Sequence, residues 1–279
     1  MSLFNNNPAD SRPVSALSIA GSDSGGGAGI QADLRSFDAL GVHGLTAIAA
    51  LTAQTTCGVS AVHPVPVAFL AEQMRVLLED FNVGAIKIGM LADAERIRCV
   101  AGVLAEHPHI PVVLDPVMVA SSGARLLQAD AVEALRQELL PRCSVVTPNL
   151  PEAEVLAGRP LPAAEDLLEA AAALRAAGAG AVLMKGGHVE DGDEVIDRLY
   201  SDKGTASWRH PRLAVLGHGT GCSLSAALAA LLAQGLGIEA ACDRAINFVH
   251  EGLRAAYAPG RGNLHVLGHR MAGQRLREG

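Results

Sequence analysis

Short runs of Val, Ile, Leu and Ala recur along this chain, and between them apolar positions return every three or four residues. "VSALSIAG" has strand character; past the glycine-rich "GGGAG", "IQADLRSFDAL" has helical spacing and stops at Gly41. "GLTAIAALTAQ" predicts a second strand, "GVSAVHPVP" a short excursion, and residues 67 to about 80 a helix. "GAIKIGML", "IPVVLDPV", "CSVVTPN" and "AVLMKGG" predict further buried strands, with helical patterns between most of them. "DEVIDRLYSDKGTASWRH" predicts a hairpin that turns near Lys203 and Gly204. Two helices, 222–234 and roughly 238–256, end the pattern, the first entered from a strand-like Val215-Leu216 through alternating glycines.

This alternation predicts one α/β domain over residues 14–266, with a mostly parallel sheet and helices on both faces. Residues 1–13 lack a charged stretch followed by an apolar one and read as a disordered lead, not a signal peptide; residues 267–279 read as a tail. The most apolar stretch, 224–233, is too short to span a bilayer. Aromatic residues make up only 3% of the chain, the net charge is −7, and no Lys/Arg run occurs, so nucleic acid and anionic membrane are poor partners and a small molecule is the better one. Five scattered cysteines (57, 99, 143, 222, 242), none in CxxC spacing, suit a reducing cytoplasmic setting with neither disulfide framework nor structural zinc.

In sheets of this kind ligands gather beyond the carboxyl ends of the strands. There stand Gly21–Gly29, Gln54, Met90, Asp115, Thr147–Glu152, Lys185–His188 and Gly217–Cys222, which are polar and glycine positions for the most part. In "GHGTGC", Gly219 and Gly221 let several backbone N–H groups face one side, and the helix that follows adds its positive end, a nest for phosphate. There is no G-K-[ST] loop and no G-x-G-x-x-G spacing. Cys222 has three readings: a small buried hydrophobe, a covalent nucleophile, or a group touching a hydroxyl that accepts a phosphoryl. "GSDSGGGAGIQAD" lets a ligand or a second loop approach closely, with Asp33 one turn into its helix. Asp115, Asn149 and Glu152 are oxygens that a Mg²⁺ held through water would use, although a first-turn glutamate also caps a helix. Only Lys87, Lys185 and Lys203 are lysines among 22 basic residues; Lys185 ends a strand and could neutralise a polyphosphate, while Lys87 inside a strand could pair structurally. The sum is a phosphoryl-transfer site without a Walker loop or a protein-kinase motif set.

Taken in order, "AGSDSGGGAGIQADLRSF", "LTAQTTCGV", "KIGML", "VLDPVMVASSG", "TPNLPEAEVL", "VLMKGGH" and "HGTGCSLSAALAA" resemble the hydroxymethylpyrimidine/phosphomethylpyrimidine kinases of thiamine biosynthesis, members of the ribokinase-like superfamily, over residues 16–256. The resemblance implies a three-layer α/β/α sandwich that uses ATP and Mg²⁺ and phosphorylates 4-amino-5-hydroxymethyl-2-methylpyrimidine and then its monophosphate. It places Cys222 where most of the superfamily carries an aspartate base, with Gly219, Thr220 and Gly221 as the anion hole. A thiolate favoured by the helix start would serve as that base. The resemblance further assigns Gln54, Gly21, Asp33 and Met90 to the pyrimidine, Asp115, Asn149 and Lys185 to ATP, Glu152 to the metal side, and implies a homodimer. Leu216 and Gly217 replace the family's Asn-Thr, and Ser121 stands where relatives carry Lys, all beside the phosphate-handling loops. The rival readings are a pyridoxal kinase of the same superfamily, a ligand-binding relative without turnover, and a thiol hydrolase.

Overall fold

The computed structural model describes residues 12–118, 130–189 and 192–278. Its first half runs β1 (Ser15–Ser22), α1 (Gly29–Ala39), β2 (His43–Thr55), β3 (Gly58–Pro64), α2 (Val67–Asp80), β4 (Val83–Ile88), α3 (Ala94–Ala105), β5 (Val112–Leu114), α4 (Ala131–Ala134) and β6 (Val145–Val146). The second half adds α5 (Leu150–Ala157), α6 (Ala164–Ala176), β7 (Ala181–Met184), the hairpin β8 (Glu194–Ser201) and β9 (Gly204–Pro211), β10 (Gly217–His218), α7 (Thr220–Ala233), α8 (Ile238–Arg254), β11 (His265–Val266) and α9 (His269–Glu278). Nine strands form one sheet in the order β3-β2-β1-β4-β5-β6-β7-β8-β9. The six strands from β2 to β7 are parallel; β3 at one edge and the β8–β9 hairpin at the other are antiparallel.

Two apolar layers cover the sheet. Side chains of α2, α3, α5 and α6 pack on one face, including Leu70, Met74, Ile97, Leu156 and Leu174. The other face meets α1, α7, α8 and α9. From Leu224 to Ala233, α7 is buried on all sides, which accounts for its unbroken apolar run. Alanines let it lie close to the sheet: a side chain at Gly84 would come within 2.9 Å of the Ala233 carbonyl. This is the expected three-layer α/β/α sandwich with a mostly parallel sheet.

The predicted elements form, with adjustments at their ends. The "VVLD" and "SVVT" strands are only three and two residues long, because each chain leaves the sheet as soon as it reaches the polar site. Pairing near the second glycine turn comes at Gly217–His218, against His265–Val266, and not at Val215-Leu216. The expected tail is corrected: His269–Glu278 is a helix whose buried His269, Ala272 and Gly273 pack it onto the body of the domain, with an Arg277 hydrogen bond to the Ala39 carbonyl, so the domain continues past residue 266. Of the expected lead, residues 1–11 lie outside the described residues, while Arg12 bonds the Asp80 carbonyl and its own carbonyl accepts from Asn82 at 3.3 Å. No described helix is long and apolar enough to cross a membrane.

α9 is fastened to α7 by one polar contact, His269 Nε2 to Ser223 Oγ at 2.8 Å. Burial, with the Arg35 charge nearby, pushes the His269 pKa down from 6.5 to about 4. The unfolded chain therefore binds a proton between pH 6.5 and 4 that the folded one refuses, and stability falls as pH drops through that window. We expect wild type to lose about 3 kcal/mol more than His269→Gln between pH 7 and pH 4. Urea unfolding of both proteins at each pH measures the difference; equal losses would remove His269 from the acid response.

Candidate active site

The polar strand ends meet in one cleft of about 970 Å³. It is lined by Gly21, Gln54 and Met90, by Asp115, Asn149, Glu152 and Lys185, and by the turn Gly219–Cys222. That turn lies between the other two groups. A Cβ at Gly221 would stand 3.0 Å from Lys185 Nζ and 3.5 Å from Asp115. On the other side, His218 is 3.2 Å from the Gln54 amide.

Two glycine loops press face to face to build the turn. Gly219 has φ +76°, and a side chain there would meet the Gly27 carbonyl at 2.0 Å, so only glycine fits on both counts. Asp23 ties the loops together. It accepts hydrogen bonds from the backbone N–H groups of Gly25 (2.8 Å), Gly27 (3.0 Å) and Ala28 (2.8 Å), and its Oδ2 lies 3.0 Å from His218 Nε2. Burial opposes its charge, but His218 and these N–H groups outweigh that and hold the carboxyl below the usual range. Ser24 and Gln54 then exchange hydrogen bonds, Ser24 Oγ to the Gln54 carbonyl and Gln54 N to Ser24 Oγ, which fixes the end of β2 against the first loop.

The carboxylate side is organised by Lys185, whose Nζ is 2.8 Å from Asp115 Oδ1 and 3.3 Å from Glu152 Oε2. Burial works against its charge, but the two carboxylates outweigh it and hold the ammonium above the ordinary lysine range. Burial pushes the Glu152 carboxyl up, with Lys185 opposing. Glu152 also caps its helix: its Oε2 accepts from Asn149 N at 2.8 Å, while Asn149 Oδ1 accepts from Glu152 N at 2.9 Å. Both readings of Glu152, cap and site carboxylate, therefore describe the same side chain.

Two expectations are corrected. Asp33 does not line the cleft; it is fully buried beneath it, 2.8 Å from Lys87 Nζ and 2.6 Å from Ser18 Oγ. The reason is register: on α1, which starts at Gly29, Asp33 faces the sheet, and Lys87 in β4 rises to meet it. Lys87 itself lines the cleft, and Asp33 overcomes desolvation to keep it charged. The second correction concerns Cys222. Burial pushes its thiol up to about 12, and the pull of Lys87 and of the Gly29 N–H does not offset it. At neutral pH it is a thiol. Sequence reasoning placed Asp23 and His218 inside the glycine stretches at the strand ends without assigning either a role of its own, and gave none to Thr52 or Lys87; the scarcity of lysine was the one signal that pointed to Lys87. Of the unusual positions, Leu216 is exposed at the cleft, and a side chain at Gly217 would meet Leu253 and Thr220 at 2.7 Å. Ser121 lies outside the described residues.

A family model described as phosphomethylpyrimidine kinase matches residues 23–267. The chain belongs to that family. The hydroxymethylpyrimidine/phosphomethylpyrimidine kinase of Haemophilus influenzae is 46% identical over 237 residues, 84% of this chain and 88% of that protein. The thiamine biosynthesis bifunctional protein ThiED of Geobacter sulfurreducens is 44% identical over 95% of this chain, which spans about half (54%) of the ThiED length. Among solved structures, an ADP complex of Bacillus subtilis pyridoxal kinase superposes with a TM-score of 0.85 at 32% identity, covering 93% of this chain and 98% of that one.

The kinase's thiol chemistry follows from burial. We expect iodoacetamide at pH 8 to alkylate exposed Cys57 well before Cys222, and Cys222 labelling to rise about 100-fold between pH 8 and pH 10, as thiolate increases tenfold per unit. Peptide mass spectrometry reads both sites. Rapid labelling of Cys222 at pH 8 would mean that the helix start outweighs burial after all.

Proposed function

We propose that this kinase transfers the γ-phosphoryl group of ATP to the hydroxymethyl group of 4-amino-5-hydroxymethyl-2-methylpyrimidine, and a second one to the resulting monophosphate. The carrying observation is the position of the Gly219–Cys222 turn between the Gln54 amide and the Lys185–Asp115 pair. Gln54, Gly21 and Met90 receive the ring. Asn149, Asp115 and Lys185 receive the phosphates, and the apolar wall of Val215, Ile246, Val249 and Leu253 suits the base of the nucleotide.

The N–H groups of Gly219, Thr220 and Gly221 hold the phosphoryl group in flight. Its transition state is loose, so the acceptor hydroxyl needs alignment more than early deprotonation. Cys222, a thiol at neutral pH, orients that hydroxyl by accepting its hydrogen bond at sulfur; the proton leaves late, to an oxygen of the transferred phosphoryl group, and Lys87 at the cleft floor balances the charge that builds there. Asp33 serves this step at one remove, by keeping Lys87 charged.

Among the described residues no cluster of three or more His, Cys, Asp or Glu side chains forms a metal cage. Asp115 and Glu152, paired through Lys185, fit a Mg²⁺ held through water and phosphate oxygens. Bound there, the ion supplies charge neutralisation on the triphosphate. Five unpaired cysteines suit a cytoplasmic setting. Exposed Leu51 and Val62 on the β2–β3 hairpin support the homodimer that the family resemblance implies.

Purified protein with Mg-ATP should release ADP with hydroxymethylpyrimidine and with its monophosphate, and the products should show the added phosphoryl mass. Turnover of pyridoxal alone would favour the B6 reading, to which the pyridoxal kinase superposition gives its weight. Cys222→Ala should lower kcat by roughly 10²–10³ while the pyrimidine Kd stays within about threefold. Wild-type turnover by that variant would overturn the orienting role of Cys222.

A further inference from the structure

The Gln54 amide touches two groups whose hydrogen-bonding roles are already fixed by other neighbours. His218 Nε2 lies 3.0 Å from Asp23 Oδ2. A carboxylate oxygen only accepts, so Nε2 carries a proton whether the ring is neutral or charged. Asp23 is a firm acceptor, since the same carboxylate also receives three backbone N–H groups. With the amide drawn so that its Nε2 stands 3.2 Å from His218 Nε2, donor faces donor.

The other end of the amide presents the same mismatch. Thr52 Oγ1 is 2.9 Å from the Ser22 carbonyl, an obligate acceptor, and 3.2 Å from Gln54 Oε1. A hydroxyl has one proton, and the Ser22 carbonyl takes it. Thr52 therefore has only lone pairs to offer Gln54. An amide's oxygen and nitrogen have nearly the same shape, and their assignment follows from the network around them. One assignment leaves no like groups opposed: Oε1 toward His218, where it shares the Nε2 proton with Asp23, and Nε2 toward Thr52.

We infer that Asp23, His218 and Thr52 are positioning residues that lock the polarity of the Gln54 amide, so that the cleft offers the substrate ring an acceptor on the His218 side and a donor on the Thr52 side. One lone pair and one N–H of the amide remain for the ligand. A ring edge that sets an amino donor beside a ring-nitrogen acceptor matches this order in one orientation. The corresponding oxo-pyrimidine, with a carbonyl acceptor beside a ring N–H, presents the reverse order in that orientation and leaves like groups opposed. The discrimination is thus set by residues outside the ring's own contacts. It rests on the reading that Gln54 meets the pyrimidine.

The test uses the full-length kinase with the aminopyrimidine and its 4-oxo analogue. Thr52→Val should raise the aminopyrimidine KM and Kd roughly tenfold, the cost of one hydrogen bond, with the loss in KM and not in kcat. It should also narrow the preference for amino over oxo ring, and Thr52→Ser should restore both to within about twofold. Wild-type affinity and preference in Thr52→Val, alongside weakened binding in Gln54→Ala, would overturn the inference. Nuclear Overhauser contacts of the Gln54 amide protons read the polarity directly. Contacts to the Thr52 methyl group support it, and contacts to the His218 ring overturn it. Unchanged binding in Gln54→Ala would instead remove Gln54 from the pyrimidine site, while those amide contacts still decide its orientation.

Discussion

The Asp23 carboxylate holds together two loops that the chain makes 195 residues apart, and the rest of the site takes its shape from that contact. Three backbone N–H groups and an imidazole converge on its two oxygens. Charge-assisted bonds of this kind are stronger than neutral ones, and removing the buried acceptor would leave several donors without a partner. With the first loop so curled, the Gly27 carbonyl sits where a side chain at position 219 would be, and the second turn must be glycine in a left-handed conformation. The anion hole is therefore a property of the contact between two loops. Neither loop would hold that geometry alone.

A second constraint lies under the first. Lys87 and Asp33 form an ion pair with no exposure to solvent, in a position where burial costs each partner heavily. Such a pair is weak evidence for stability, and well-packed apolar residues would fill the volume at lower cost. Its value lies in where the positive end emerges: Lys87 lines the cleft floor close enough to Cys222 to favour its thiolate, whereas the negative end stays beneath. The kinase thus accepts an unfavourable burial in order to aim a fixed charge at the reacting position.

The fold was legible because its signals are local. Period-two and period-3.6 patterns marked the strands and helices, and the rule that ligands gather at the carboxyl ends of parallel strands picked out Gln54, Asp115, Asn149 and Lys185 before any geometry was known. The errors share a cause: each depended on depth. Asp33 is adjacent to the glycine loop in sequence, yet the turn of α1 faces it inward. The helix start at Cys222 is visible in the sequence and argues for an acidic thiol, while the desolvation that wins depends on what packs above and below it. α9 was missed because "HRMAGQRLREG" has few apolar residues; it docks through small ones, Ala272 and Gly273, and through a buried histidine. The family assignment came from motif order, which needs no depth at all.

A half-buried thiol with a raised pKa also answers why this position holds cysteine and not a carboxylate. Around the turn, two ammonium groups, Lys87 and Lys185, face three carboxyls, Asp33, Asp115 and Glu152. Another permanent anion at position 222 would add repulsion at the spot where a triphosphate and a phosphorylated acceptor must both come close. A thiol adds none at neutral pH. Its sulfur still accepts the acceptor's O–H, and Lys87 is in place to balance the negative charge that builds on the acceptor oxygen as its proton leaves. The second proposed step makes this sharper, because the acceptor is then itself a phosphate. A neutral residue at the point of transfer lets one cleft receive first an alcohol and then an anion without rebuilding its electrostatics.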